Sequence, residues 1–234
     1  MALPRLNETP SYEVKIPSTG QKVSYRPYLV KEEKVLMMAF ESGDQKQALR
    51  SIVDTLKACI QEDIDLVTLT SFDIEYLFTQ IRSRSVGENA NILIPCKECD
   101  HKNEIELDVS TIEVNIPKVD KVIRLTDQIS VEMKYPSYQA LMVTDLEAGE
   151  LELGMALIGQ CIDAVLTEEE RYDASEVSAE DIQQFIESMT AVQFQSVAEF
   201  IQTLPALSKD IDFTCKSCGS ENTTTLKGLN DFLS

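Results

Sequence analysis

Alternation of apolar and polar positions opens the chain. Tyr12-Glu13-Val14-Lys15-Ile16 reads as a strand, Pro17-Ser18-Thr19-Gly20 as a turn and Lys22-Val23-Ser24-Tyr25 as the returning strand of a hairpin. Pro27 ends that sheet. The period then lengthens. Val30 to Glu41 predicts a helix with Lys31 to Lys34 outside and Val35, Leu36 and Met38 to Phe40 largely inside, broken by Gly43 and Asp44. A second helix carries Leu49, Ile52, Val53, Leu56 and Ile60 on one face. A third starts at a capping box of Thr70 and Asp73, buries Ile74, Leu77, Phe78 and Ile81, and gives way to the segment from Arg82 to Glu88. Strands over Asn91 to Pro95 and Asn103 to Val109 follow.

The second half repeats this order. Val122 to Leu125 and Ile129 to Met133 predict a hairpin that Pro136 ends. Ile158, Cys161, Ile162 and Val165 fall on one helical face, 109 positions after Leu49, Ile52, Val53 and Leu56. Ile182, Phe185, Ile186 and Met189 match Ile74, Leu77, Phe78 and Ile81, and Ser178 with Asp181 repeats the capping box. An extra helix over Thr190 to Leu204 precedes strands at Ile211 to Thr214 and Glu221 to Leu226. The expected fold class is therefore α+β, with two pseudo-repeated units, each a β-hairpin plus three or four helices. The expected boundaries are a flexible leader over 1–11, a first repeat over 12–114 and a second over 115–234.

Each half ends in a strand, a thiol-bearing turn and a strand. The turns are Cys96-Lys97-Glu98-Cys99 and Cys215-Lys216-Ser217-Cys218. Two facing turns would supply four thiolates, enough for a tetrahedral structural Zn²⁺ site joining the two CxxC hairpins as in a zinc ribbon. Gly219, just past the second turn, tolerates the positive φ that a tight metal-binding turn often needs. One ion would then tie the two halves across about 115 residues of chain, a closure worth roughly 4 to 5 kcal/mol by loop entropy. Iron in the same thiolates, a dithiol or disulfide pair, and plain buried thiols are the alternatives. His101 beside Cys99 is a surface turn residue or a substitute ligand, and Cys59 and Cys161 sit on apolar helix faces as small core residues.

Composition narrows the function. The net charge of −19 over 234 residues repels phosphate backbones, so a zinc-ribbon adaptor for nucleic acid is the weaker reading. From Asp145 to Ser208 the sole basic residue is Arg171, which suits a solvated helical surface or a face for a basic partner. No apolar run approaches a membrane span and no hydrophobic signal core opens the sequence, so a reducing cytoplasm is expected. A single histidine makes Cys-His and Ser-His-Asp catalysis improbable, and no G-x-G-x-x-G, Walker A or EF-hand loop is present. No enzyme, small-molecule substrate or catalytic residue is expected. Met37, Met38 and Phe40, with Phe194, Val197, Phe200 and Ile201, are more apolar than one buried helix face requires. They belong either to a shared core or to partner-binding faces.

The stretch from Ile16 to Lys34 resembles the T-even (T-four-type) bacteriophage baseplate hub and hub-assembly protein family. Further likeness lies in Met37 to Asp44, Phe72 to Phe78 with Gly87-Glu88, and Met133-Lys134-Tyr135-Pro136, so it runs nearly end to end. The resemblance implies a non-enzymatic protein of the contractile tail: a hub subunit, or an assembly chaperone holding another hub or tape-measure protein. It implies residence in the host cytoplasm during assembly, or in the virion baseplate. The cysteine pairs are not uniform in that family, so the resemblance itself implies zinc only for some members.

Overall fold

The computed structural model describes residues 9–144 and 149–233, and the expected leader falls mostly outside them. The chain divides into two compact units, one formed by Met1–Asn115 with Ala206–Ser234, the other by Ile116–Pro205. In the first unit β1 (Tyr12–Lys15) and β2 (Lys22–Tyr25) form the expected hairpin, with Val14 opposite Val23. Next come α1 (Val30–Glu41), α2 (Gln45–Cys59) and α3 (Ser71–Val86). Thr70 caps α3 as its sequence predicts, and the Asp73 carboxylate also accepts from the Ser18 N–H at 2.9 Å and the Ser18 hydroxyl at 2.6 Å. One fully buried acid thus joins the hairpin turn to the helix start. Leu56 of α2 and Ile74, Leu77 and Ile81 of α3 are each 0% exposed.

The helix expected to yield at Arg82 continues to Val86. The Ser83 and Ser85 hydroxyls donate to the carbonyls of Gln80 and Ile81 in the preceding turn, which is compatible with an unbroken helix. β3 (Asn89–Pro95) and β4 (Lys102–Asp108) then pair antiparallel, and β5 (Glu113–Asn115) closes the first passage through the unit.

The second unit is built on an antiparallel sheet of β6 (Val122–Arg124), β7 (Ile129–Met133), β8 (Ile162–Thr167) and β9 (Arg171–Asp173). Its helices are α4 (Tyr138–Val143), α5 (Glu150–Cys161), α6 (Ala179–Glu187) and α7 (Ala191–Gln202). Here the expectation needs correction. Ile162 and Val165 do not continue the helical face of Ile158 and Cys161: α5 stops at Cys161, and Ile162-Asp163-Ala164-Val165-Leu166-Thr167 pairs with β7 as a strand. The spacing fitted a helix, but the run of β-branched and small apolar residues completes a sheet whose next edge was otherwise bare.

The chain returns to the first unit with β10 (Ala206–Thr214), β11 (Glu221–Lys227) and a short α8 (Gly228–Leu233). β10 pairs with β11 on one side and β5 on the other, with Ala206 opposite Asn115. Residues of both thiol hairpins, among them Ile92, Ile94, Leu107, Ile211 and Leu226, share one core with Leu207 and Phe232. The second thiol hairpin, expected to complete the second repeat, therefore packs in the first unit. The boundary is set by β5–β10 pairing and by that joint core, neither of which hydrophobic periodicity records.

Candidate metal centre

Two hairpins of one unit build the centre. In each, the first cysteine directly follows a strand, its N–H donates to the carbonyl five residues on (Cys96 to His101 at 2.9 Å, Cys215 to Ser220 at 2.8 Å), and its carbonyl accepts from the residue four on (Asp100 at 3.0 Å, Gly219 at 3.0 Å). The turn requires positive φ at that fourth residue, +73° at Gly219 and +56° at Asp100. Glycine takes this conformation freely and aspartate is among the few side chains that tolerate it. The turns also tilt N–H groups at the sulfurs, Glu98 toward Cys96 Sγ and Ser217 toward Cys215 Sγ, both at 3.4 Å.

The four sulfurs of Cys96, Cys99, Cys215 and Cys218 all lie within 4.8 Å of one another. Cys96 Sγ is 3.7 Å from Cys218 Sγ, and Cys99 Sγ is 3.7 Å from Cys215 Sγ, each contact joining one hairpin to the other. These are not disulfide distances, which are about 2.0 Å. Four sulfurs held about 2.3 Å from one tetrahedral Zn²⁺ stand about 3.8 Å apart, so the spacing suits a metal ion of that size. Cys96 and Cys215 are buried, while Cys99 and Cys218 face solvent. His101 contributes its backbone carbonyl to the turn, and its ring is not part of the cluster.

Sequence reasoning missed two residues that cross between the hairpins. The Asn222 amide oxygen accepts from the Lys97 N–H at 3.0 Å while its nitrogen donates to Cys96 Sγ at 3.5 Å and to the Ser220 carbonyl at 3.0 Å. Asn103 mirrors this arrangement. Its oxygen accepts from the Lys216 N–H at 2.9 Å, and its nitrogen faces Cys215 Sγ at 3.7 Å and donates to the His101 carbonyl at 2.9 Å. The ammonium groups repeat the pattern, Lys97 reaching the Thr223 carbonyl and Lys216 the Glu104 carbonyl. Asn103 and Asn222 are 1% and 5% exposed. The available signal was their equal spacing, each seven residues after the first cysteine of its turn. Their amides lock the two turns face to face, and each uses both its oxygen and its nitrogen in doing so.

Electrostatics within the cluster are uneven. The Ser220 hydroxyl, with backbone N–H groups of the turn, brings the Cys96 thiol down to about 5. Backbone donation, first from Cys218, also lowers Cys215. For Cys99 the His101 N–H acts downward, yet the thiols of Cys218, Cys215 and Cys96 together with burial outweigh it and push the group up to about 12. A divalent cation would replace the thiol protons and remove the repulsion among crowded thiolates. Cys59 and Cys161 stand apart: burial pushes their thiols up to about 11 and 12, as fits inert core residues.

The partner-face residues divide. Met37, Met38 and Phe40 of α1 are 56%, 59% and 43% exposed, correcting the expectation that Met38 and Phe40 point largely inward; Leu36 and Ala39 alone supply the buried apolar stripe of that helix. On α7 the reverse holds. Val197 and Phe200 are buried in the core of the second unit, and Phe194 and Ile201 are partly buried against it. Their apolar surface is taken up by β7, β8, α5 and α6, so Val197 and Phe200 are not free to meet a partner.

A family model described as T4 bacteriophage base plate protein matches residues 9–234. The chain belongs to that family. The match takes in both units and all four cysteines of the cluster. Comparison with curated proteins and with solved structures found no match. Membership in the baseplate family implies a structural part in a phage, together with other baseplate proteins. No helix among the described residues is long and apolar enough to cross a membrane.

Proposed function

We propose that this baseplate-family protein acts without catalysis in assembly of the baseplate hub, as a hub subunit or as an assembly chaperone that holds another hub or tape-measure protein. We further propose that Cys96, Cys99, Cys215 and Cys218 bind a structural Zn²⁺. The family match over residues 9–234 carries the first reading, and the 3.7 Å sulfur contacts between two hairpins carry the second. Four thiolates leave a tetrahedral ion no open position for water, which argues for a staple and against metal catalysis. The exposed apolar side chains of α1, Met37, Met38 and Phe40, supply a surface for a protein partner. A hairpin followed by helices, and a later helix N-capped by Thr70 or Ser178, recur in the two halves and support an internal duplication, with β8 and β9 inserted only in the second.

Affinity purification of the tagged protein from infected cells tests the first reading: a hub or tape-measure protein should co-purify in fixed ratio. Absence from every tail-assembly intermediate would overturn it. Elemental analysis tests the second, with one zinc expected per chain in colourless protein. A red protein with visible charge-transfer bands would mean iron in the same thiolates.

A further inference from the structure

In the second unit, α5, α6 and the start of β8 border a hollow of about 550 Å³. Its apolar lining includes Met155, Gly159, Ile162, Ala174, Ile182 and Ile186. A second hollow of about 210 Å³ shares Ile162, Ala174 and Ile182 with the first and adds Tyr172, Val177 and Phe185. The shared residues make the two hollows one trough along α6. Its lips are open, because Ala156, Gln160 and Gln183 are exposed. Small-molecule sites converge a few polar groups inside an enclosed cavity. An open trough with an apolar floor is instead shaped for a row of side chains from another polypeptide.

Charge says which polypeptide. Glu152 lines the larger hollow and Asp181 the smaller, while Glu180 and Glu187 stand on the same helix α6. The nearby cations are already engaged. Lys134, which lines the larger hollow beside Glu152, pairs with Asp163 at 3.3 Å, and Arg171 is held by Glu132, Asp163 and Asp173. Among the described residues no ion pair reaches Glu152, Glu180, Asp181 or Glu187. The whole unit carries 17 acids against 5 bases, a net −12 of the chain's −19. We infer that this trough docks a segment of another protein that presents a row of apolar side chains flanked by lysine or arginine. The inference holds for a hub subunit and for an assembly chaperone alike, and does not depend on the metal.

The test titrates the full chain with a fluorescently labelled amphipathic peptide of leucine and lysine, about five helical turns long. A peptide with the same leucines and glutamate in place of lysine serves as control, and both are read by anisotropy. The lysine peptide should bind one to one and the glutamate peptide should not. Ala156→Trp fills the trough from an exposed lip without altering net charge, and Gln183→Trp does so from the opposite lip. Each should weaken binding by about tenfold or more. Circular dichroism melting of both variants checks that the fold persists. Wild-type affinity in both filled variants would place the peptide elsewhere on the acidic surface and overturn the inference. So would equal binding of the two peptides, or binding of neither.

Discussion

The hairpin-and-helix blocks of the two units differ most just after the second helix, where one chain turns away and the other becomes a strand. α2 ends at Cys59 and α5 at Cys161, and each terminal carbonyl accepts from the residue that follows the hairpin, Arg26 at 3.0 Å and Lys134 at 2.7 Å. The next residue bridges to the hairpin in both, Ile60 to Tyr25 and Ile162 to Met133. Then the sequences part. After Ile60 come Gln61, Glu62, Asp63 and Asp65, and the Glu62 carboxylate itself accepts the Ser24 N–H at 2.8 Å, the group that a neighbouring strand would have satisfied. After Ile162 come Ala164, Val165 and Leu166, and the ladder runs on to Thr167. One acidic side chain closes a sheet edge; three apolar residues extend it to four strands.

The largest expected contrast between the units follows from the metal centre, since its ligands all lie in the first. Cys96→Ser, or a zinc chelator, should loosen the two thiol hairpins and lower the stability of the first unit by several kcal/mol, given roughly 10 kcal/mol for zinc in small peptides. Amide exchange should rise in β3, β4, β10 and β11 and stay unchanged in the sheet of the second unit. Unchanged melting and metal content after Cys96→Ser would remove the staple.

Glu75 and Gln183 occupy matching places on α3 and α6, five residues past their caps. Burial pushes the Glu75 carboxyl up to about 7 from 4.5, against a hydrogen bond from the Leu229 N–H. The folded state therefore keeps a proton that the unfolded chain releases. Its contribution is complete below pH 4.5 and is lost as pH rises through 7. Glu75→Gln installs the residue that the second block already carries. It should stabilise the protein by about 2 to 3 kcal/mol at pH 8 and leave it little changed at pH 4. Urea unfolding at both values checks this, and an equal shift at the two would refute it.

Asn103→Ala should weaken metal binding about tenfold to a hundredfold while the four thiols remain. Competition with a coloured chelator measures it, and Asn222→Ala should match it if the cross-hairpin pattern is symmetric in energy as well as in geometry. The smallest contrast concerns the caps. Thr70→Ala and Ser178→Ala each remove an N-cap side chain, worth about 0.5 to 2 kcal/mol. Asp73 is fully buried and also holds Ser18, whereas Asp181 is exposed and bonded to Ser178. The first substitution should therefore cost more in thermal melting; the reverse order would deny the Asp73 junction its structural weight.

What could be read from the residues was what local chemistry decides. α1 keeps its expected limits, because Pro27 before it and Gly43 after it admit little else. The Thr70–Asp73 cap and the four clustering cysteines were legible for the same reason. Tertiary partners were not. Ile158, Cys161, Ile162 and Val165 satisfy a helical period, and only the bare edge of β7 turns the last two into strand. The exposure of Met38 and Phe40 follows from what α1 packs against, which its own sequence does not name. Asn103 and Asn222 were hidden because an amide in a strand carries no meaning until the opposing turn is beside it.

The antiparallel pair of Asn115 and Ala206 has a practical consequence. The outgoing and incoming ends of the second unit are anchored side by side, a few ångströms apart. The span from Ile116 to Pro205 is thus an excursion between two neighbouring points. A short tight turn could replace it without asking either strand to move, and a foreign domain with adjacent termini could be grafted in its place.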